Sequence, residues 1–229
     1  MTVRLWTRLD LSWILVILLT VFAVAPLTYP GFFQVESGFL SAFNAEHLSD
    51  APNWGRTPDL VRGEGKLSYL LVWPFFQLSA SGVVAVKWGY ALTLVLGALG
   101  TFAWTRRWLG VRGGVLSSVI YTYLPWHLGT IYVRGAFAEA WLWVFWPFVL
   151  WALDLWGEGR LLPAALVGLP VLAAALFTQP GMLVLSLPLW VAYGLVVAAR
   201  QLWPILRLVA AVALALVLMW IAAQVVPLS

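Results

Sequence analysis

Six residues of this chain are of types that could do chemistry on a phosphate or a sugar: Glu36, Asp59, Arg62, Arg134, Glu139 and Gln179. A carboxylate such as Glu36, about seven residues beyond an apolar run, can act as a general base on an acceptor held at a membrane surface. Asp59 opens the stretch Asp59-Leu60-Val61-Arg62-Gly63-Glu64-Gly65, whose glycines suit a tight turn. Arg62 and Arg134 can each hold a phosphate, because a guanidinium presents a planar fork of donors. The competing readings are a solvated loop for the acids and a structural ion pair for either arginine.

Arg134 and Glu139 stand at the edge of Leu124–Asp154, an otherwise apolar, Trp-rich segment. An ionisable group at mid-membrane costs roughly 2.5–3.5 kcal/mol on insertion scales, so such residues are functional candidates. Snorkelling to the interface is the alternative. On one continuous helix, residues five apart lie about 140° from each other. Arg134 and Glu139 are therefore expected to find separate partners, from the first loop above all.

The elements that must carry these residues are membrane helices. Hydrophobic residues make up 63% of the 229, charged residues 10%, and the mean hydropathy is +0.93. A water-soluble surface cannot be made from that composition, whereas lipid-facing surface is apolar throughout. The chain reads as an all-α, multi-pass membrane protein forming a single membrane domain, 1–229. The ten-residue alternation of a membrane barrel is absent from the sequence. The net charge of +4 does not indicate nucleic acid as a partner, since Lys and Arg gather at span ends. There is no cysteine, hence no thiolate chemistry, and the two histidines, His47 and His127, form no metal motif. No metal site is assigned from the residues. Arg112-Gly113-Gly114 lacks the spacing of a phosphate-binding loop.

Seven spans are expected: Leu11–Tyr29, Val83–Trp104, Gly114–Tyr132, Ala138–Trp156, Leu161–Phe177, Gly181–Ala199 and Ile205–Val226. The first imitates a signal peptide, but Pro26 directly after Ala23-Val24-Ala25 argues for a retained helix. Pro30–Lys66 reads as a polar loop outside the cytoplasm. Leu67–Leu78, about 12 residues broken by Pro74, falls short of the roughly 20 needed to cross and reads as re-entrant or interfacial. With the N-terminus in the cytoplasm, Arg4, Arg8, Arg106, Arg107, Arg112, Arg160, Arg200 and Arg207 lie inside, as the positive-inside rule requires. The expected location is a bacterial plasma membrane. Arg134, Glu139, Thr178-Gln179 and the first loop then share the outer side, where a cleft is expected to gather Glu36, Asp59, Arg62, Arg134 and Glu139.

Several motifs carry a resemblance. Pro52-Asn53-Trp54, Pro58-Asp59-Leu60 and Gly63-Glu64-Gly65 occur in order in the first loop. Arg106-Arg107-Trp108-Leu109-Gly110 follows, then Pro125-Trp126-His127 and Tyr132-Val133-Arg134-Gly135-Ala136-Phe137-Ala138-Glu139. Over most of Pro30–Gln179 the pattern resembles the N-terminal membrane module of GT-C superfamily glycosyltransferase-like proteins. More narrowly, it resembles the large membrane proteins called 6-pyruvoyl-tetrahydropterin synthase-related. Where that family has a His-Asp pair, this chain has Val35-Glu36; a following His is Leu40, and a Thr-His-Asn-like element is Thr178-Gln179-Pro180.

The resemblance implies a GT-C-like core with a long outer first loop, and transfer of a sugar from a polyprenyl-phosphate donor. Glu36 or Asp59 would serve as base or as ligand to a divalent metal. Arg62, Arg134, Glu139 and Gln179 would bind substrate. Against this enzyme stand two other readings: a reduced or inactive relative that binds membrane lipid, and a non-catalytic accessory subunit that packs its Trp-rich faces into a larger membrane complex. The lost imidazole favours these; the retained acids and Arg134 favour the enzyme.

Overall fold

A computed structural model of the chain describes residues 11–30, 38–48, 67–198, 212–214 and 216–217. The described residues form helices joined by short turns, with no strand among them. In chain order these are α1 (Leu11–Val24, continued by a 3-10 turn Ala25–Thr28), α2 (Gly38–Glu46), α3 (Leu67–Ser79) and α4 (Gly82–Thr122). They continue with α5 (Pro125–Tyr132), α6 (Phe137–Gly157), α7 (Leu161–Thr178) and α8 (Pro180–Ala198).

Five of these segments are long and apolar enough to cross a membrane: Leu11–Thr28, Gly82–Thr122, Phe137–Gly157, Leu161–Thr178 and Pro180–Val197. The expected second and third spans therefore appear as one element, α4. Its 41 residues, if straight, would run about 60 Å, twice the hydrocarbon thickness of about 30 Å. They do not, because Gly110 sits at φ 68°, ψ −175°, a region essentially closed to residues with a side chain. The chain folds back on itself there. A Cβ on Gly114 would come within 2.9 Å of Arg106 Cβ and 3.0 Å of the Phe102 ring. A Cβ on Gly97 would come within 3.5 Å of the Tyr121 ring, 24 residues away and about 36 Å off along a straight helix. The two arms, 82–109 and 111–122, are thus antiparallel neighbours; the second, at about 18 Å, is too short to cross alone and is followed by α5.

Contacts along the arms fix the other helices. Trp13, near the start of α1, packs edge-on against Phe102 at 4.8 Å, and the Arg106 guanidinium lies 5.5 Å over it. Tyr29, past the end of α1, accepts a 2.6 Å bond from Lys87 Nζ at the other end of the first arm. The second arm and α5 run back beside α1, since Tyr123 Oη donates to Leu19 O and Tyr132 Oη to Ala23 O. Helix α6 lies parallel to the first arm: Phe137 meets Gly89, the Trp143 carbonyl meets Gly97, and Phe148 meets Gly100. It packs as well against α5, α7 and α8, and most of its side chains are buried.

Two ends result. Arg106, Arg107, Glu158 and Arg160 gather at one, called here the arginine end; Glu46, Lys87, Arg134 and Glu139 gather at the other. This matches the expected division of charges between two sides. Helix α2 falls within Pro30–Lys66, where only a loop was expected, and is fastened to the second end by Glu46 Oε1, which accepts from Gly82 N at 2.9 Å. Helix α3, expected as a re-entrant or interfacial segment, is 13 residues long and at about 20 Å is too short to cross alone. It packs there with Tyr69 against Phe137, ring centroids 5.3 Å apart. Of the expected seventh span, only residues 212–214 and 216–217 are described, and they are helical.

Gly110→Ala should destabilise the purified protein by about 1–3 kcal/mol, the cost of a side chain in that backbone region. Gly129→Ala, in α5 with open space around its Cα, should melt at or slightly above the wild-type temperature, since Ala favours helix. Equal melting temperatures for the Gly110 variant and the wild type would contradict the fold-back.

Candidate functional site

Helix α6 carries a carboxylate near each end, and each has its own polar surroundings. Near the start is Glu139, in the first turn of α6 and only 8% exposed. The positive end of the helix dipole favours an anion there. Its partner is Arg134: Nη1 lies 2.6 Å from Oε2, and Nη2 donates to Oε1 at 3.2 Å. The same guanidinium sits 5.8 Å over the Trp126 ring, within cation–π range.

This pairing corrects the expectation that the two residues find separate partners. The 140° argument assumed one continuous helix, and the helix is broken between them. Helix α5 ends at Tyr132, and Gly135 takes φ 60°. Wide-turn bonds run from Arg134 N to Gly129 O at 2.9 Å and from Ala136 N to Thr130 O at 3.0 Å. The turn swings Arg134 back onto the first turn of α6.

Of the other expected site residues, Gln179 lies at the same end, between α7 and α8. Its N–H donates to Ala175 O and its carbonyl accepts from Leu183 N, each at 3.0 Å. Its Oε1 is buried and has no hydrogen-bond partner among the described residues, and no bond joins Gln179 to the Arg134–Glu139 pair. Neighbouring Thr178 turns its hydroxyl to Ala174 O at 2.7 Å. Glu36, Asp59 and Arg62 lie outside the described residues, and with them the cleft expected to join the first loop to Arg134. Among the described residues no group of three or more His, Asp or Glu is placed to hold a metal ion.

His127 occupies a core position. It is fully buried, stacked on Trp143 at 4.7 Å, with Nδ1 3.1 Å from the Tyr121 carbonyl. Because a carbonyl only accepts, Nδ1 carries the proton in this arrangement.

The second carboxylate, Asp154, was missed as a site in the sequence, where it only bounds the segment Leu124–Asp154. It is fully buried. Trp104 Nε1 and Trp108 Nε1 both donate to Oδ2, at 2.9 and 2.8 Å, and Tyr193 Oη donates to Oδ1 at 2.8 Å. The two tryptophans are four apart on the first arm of α4, hence on one face, and that spacing opposite a lone acid was the available signal. One turn further on, Glu158 pairs with Arg107 and lies 3.8 Å from Arg160. Asp154 sits near the C-terminus of α6, where the helix dipole opposes an anion; three neutral donors from two neighbouring helices offset that.

Comparison with family models, with curated proteins and with solved structures finds no match to this chain.

Arg134→Ala should cost about 1–3 kcal/mol, because it leaves a mostly buried carboxylate without its cation, and Glu139→Gln should cost less. Asp154→Asn places an amide donor where a carboxylate oxygen accepts, so donor faces donor; a loss of about 2 kcal/mol is expected. Thermal melting of the full chain in detergent measures all three. An Asp154→Asn protein as stable as wild type would show that the three bonds are dispensable.

Proposed function

We propose that this chain is a GT-C-like, seven-pass membrane protein, a relative of lipid-phosphate-sugar glycosyltransferases with reduced or lost transferase chemistry. Its N-terminus is in the cytoplasm, and the Arg134 end of the bundle faces outward. The observation that carries the reading is the Arg134–Glu139 pair. Both terminal nitrogens of the residue best suited to hold a lipid phosphate already face a carboxylate, at 2.6 and 3.2 Å. Binding a phosphate there means displacing Glu139 or placing two anions together. Val35 and Leu40, which stand where the resembling family has imidazoles, point the same way. The fold-back at Gly110 supports the seven-pass count, because it separates the second span from the third.

A second reading, a Trp-rich accessory subunit of a larger membrane complex, is supported by Trp73, Trp88, Trp108, Trp126 and Trp156, each between 46% and 65% exposed. These surfaces serve lipid equally well. The two readings share one expectation, a protein that binds lipid and does not turn over a sugar donor.

The test uses the full chain in lipid nanodiscs with a radiolabelled polyprenyl-phosphate hexose. The wild type should neither transfer nor hydrolyse the sugar. Glu139→Gln, which frees the guanidinium, should retain more of the donor than wild type, and Arg134→Ala should not. Wild-type turnover that is lost in Arg134→Ala would contradict the proposal and establish the enzyme.

A further inference from the structure

The arginine end has a cavity that neither the pair at Arg134 nor the Asp154 cluster uses. It has a volume of about 450 Å³ and lies between α1, the first arm of α4, α6 and α7. Its floor is apolar, formed by Leu99, Phe148 and Val167 among others, and Arg106, Arg107 and Arg160 lie at its charged end. Leu99 and Arg106 are seven residues apart on one helix, so the apolar part reaches about 10 Å toward mid-membrane.

Two of the guanidiniums, those of Arg107 and Arg160, share one described carboxylate at the rim, Glu158, which pairs with Arg107 and lies 3.8 Å from Arg160. Asp154 is close in sequence but fully buried and bonded to Trp104, Trp108 and Tyr193. Arg107 Nη1 is buried with no hydrogen-bond partner among the described residues, an arrangement that costs free energy unless an acceptor is supplied. The Arg160 side chain is 41% exposed and so remains reachable from the surface. Arg106 is spread over Trp13 and Phe102, at 5.5 and 5.2 Å, which holds its guanidinium at the junction of the apolar and charged parts.

We propose that this cavity binds one anionic phospholipid, with its phosphodiester on Arg107 and Arg160 beside Arg106 and an acyl chain along Leu99, Phe148 and Val167. Basic pockets between membrane helices select anionic headgroups in this way. A guanidinium fork matches the phosphate oxygens, and the apolar floor matches the chain. A zwitterionic lipid would satisfy the floor but bring its own cation to the arginines. The inference is independent of whether the opposite end transfers sugars.

Native mass spectrometry of the full chain tests it, with palmitoyl-oleoyl phosphatidylglycerol and palmitoyl-oleoyl phosphatidylcholine at equal concentration in mild detergent. One phosphatidylglycerol per chain should be retained in preference to phosphatidylcholine. Arg160→Gln should lower that preference about fivefold, the effect of removing one basic residue near a lipid surface. Ala103→Trp, which fills the cavity, should remove it. Arg112→Gln, exposed at the same end but not lining the cavity, should leave it unchanged. Equal retention of the two lipids, the result if another segment of this chain fills the groove, would overturn the proposal. So would an Arg112→Gln loss as large as that of Arg160→Gln, which would mean diffuse surface attraction.

Discussion

Two carboxylates on one buried helix govern this structure. In hydrocarbon an unpartnered carboxylate is costly, and α6 carries Glu139 near one end and Asp154 near the other, 8% and 0% exposed. Each must be met by donors from another element. Glu139 takes Arg134 from the turn after α5; Asp154 takes Trp104 and Trp108 from α4 and Tyr193 from α8. Those four partners tie α6 to its neighbours at both ends, and apolar packing fills the length between. The two ends are not equivalent. The helix dipole helps hold Glu139 and opposes Asp154, which accounts for one partner at the first and three at the second.

The fold-back at Gly110 makes both arrangements possible. Because the chain reverses there, the first arm of α4 can run beside α6 and present Trp104 and Trp108 at the level of Asp154. The second arm can then return with α5 beside α1, delivering Arg134 to the start of α6. A straight α4 would place Tyr121 about 36 Å from Gly97 and could not supply both ends. The same reversal gathers Arg106 and Arg107 with Arg160 and leaves Arg134 at the opposite end. A backbone choice at one glycine thereby sets the charge distribution from which the arginine-rimmed cavity and the Arg134–Glu139 pair at the opposite end both follow.

Much of the helical frame was legible in the sequence. Long apolar runs bounded by Pro, Gly and Arg placed α1, α6, α7 and α8 within a few residues, and the shortness of Leu67–Leu78 showed that it could not cross alone. Helix α2 was not legible: its nine residues, Gly38–Glu46, mix polar and apolar types and owe their place to α4 and α3. The pairing of Arg134 with Glu139 was missed for a geometric reason. A spacing of five separates residues on one helix, yet Gly135 takes a positive φ and cancels that separation. Its presence directly after Arg134 was visible; its conformation was not. Asp154 was missed because an acid near a span end reads as solvated, and only the folded bundle brings α4 and α8 over it. Glu36, Asp59 and Arg62, by contrast, rest on motif order alone.

The bundle depends most on the placement of Arg112 and Val133 at its opposite ends, with the second arm and α5 between them. The chain has no cysteine, so single cysteines at these two exposed positions can be labelled with a membrane-impermeant maleimide in sealed vesicles of known orientation. The fold-back predicts that Arg112→Cys and Val133→Cys react from opposite faces of the membrane; the proposed orientation puts Val133→Cys on the outer one. Reaction of both from the same face would mean that the segment between them does not cross, and would contradict the arrangement on which the Arg134–Glu139 pair, the Asp154 cluster and the arginine end all rest.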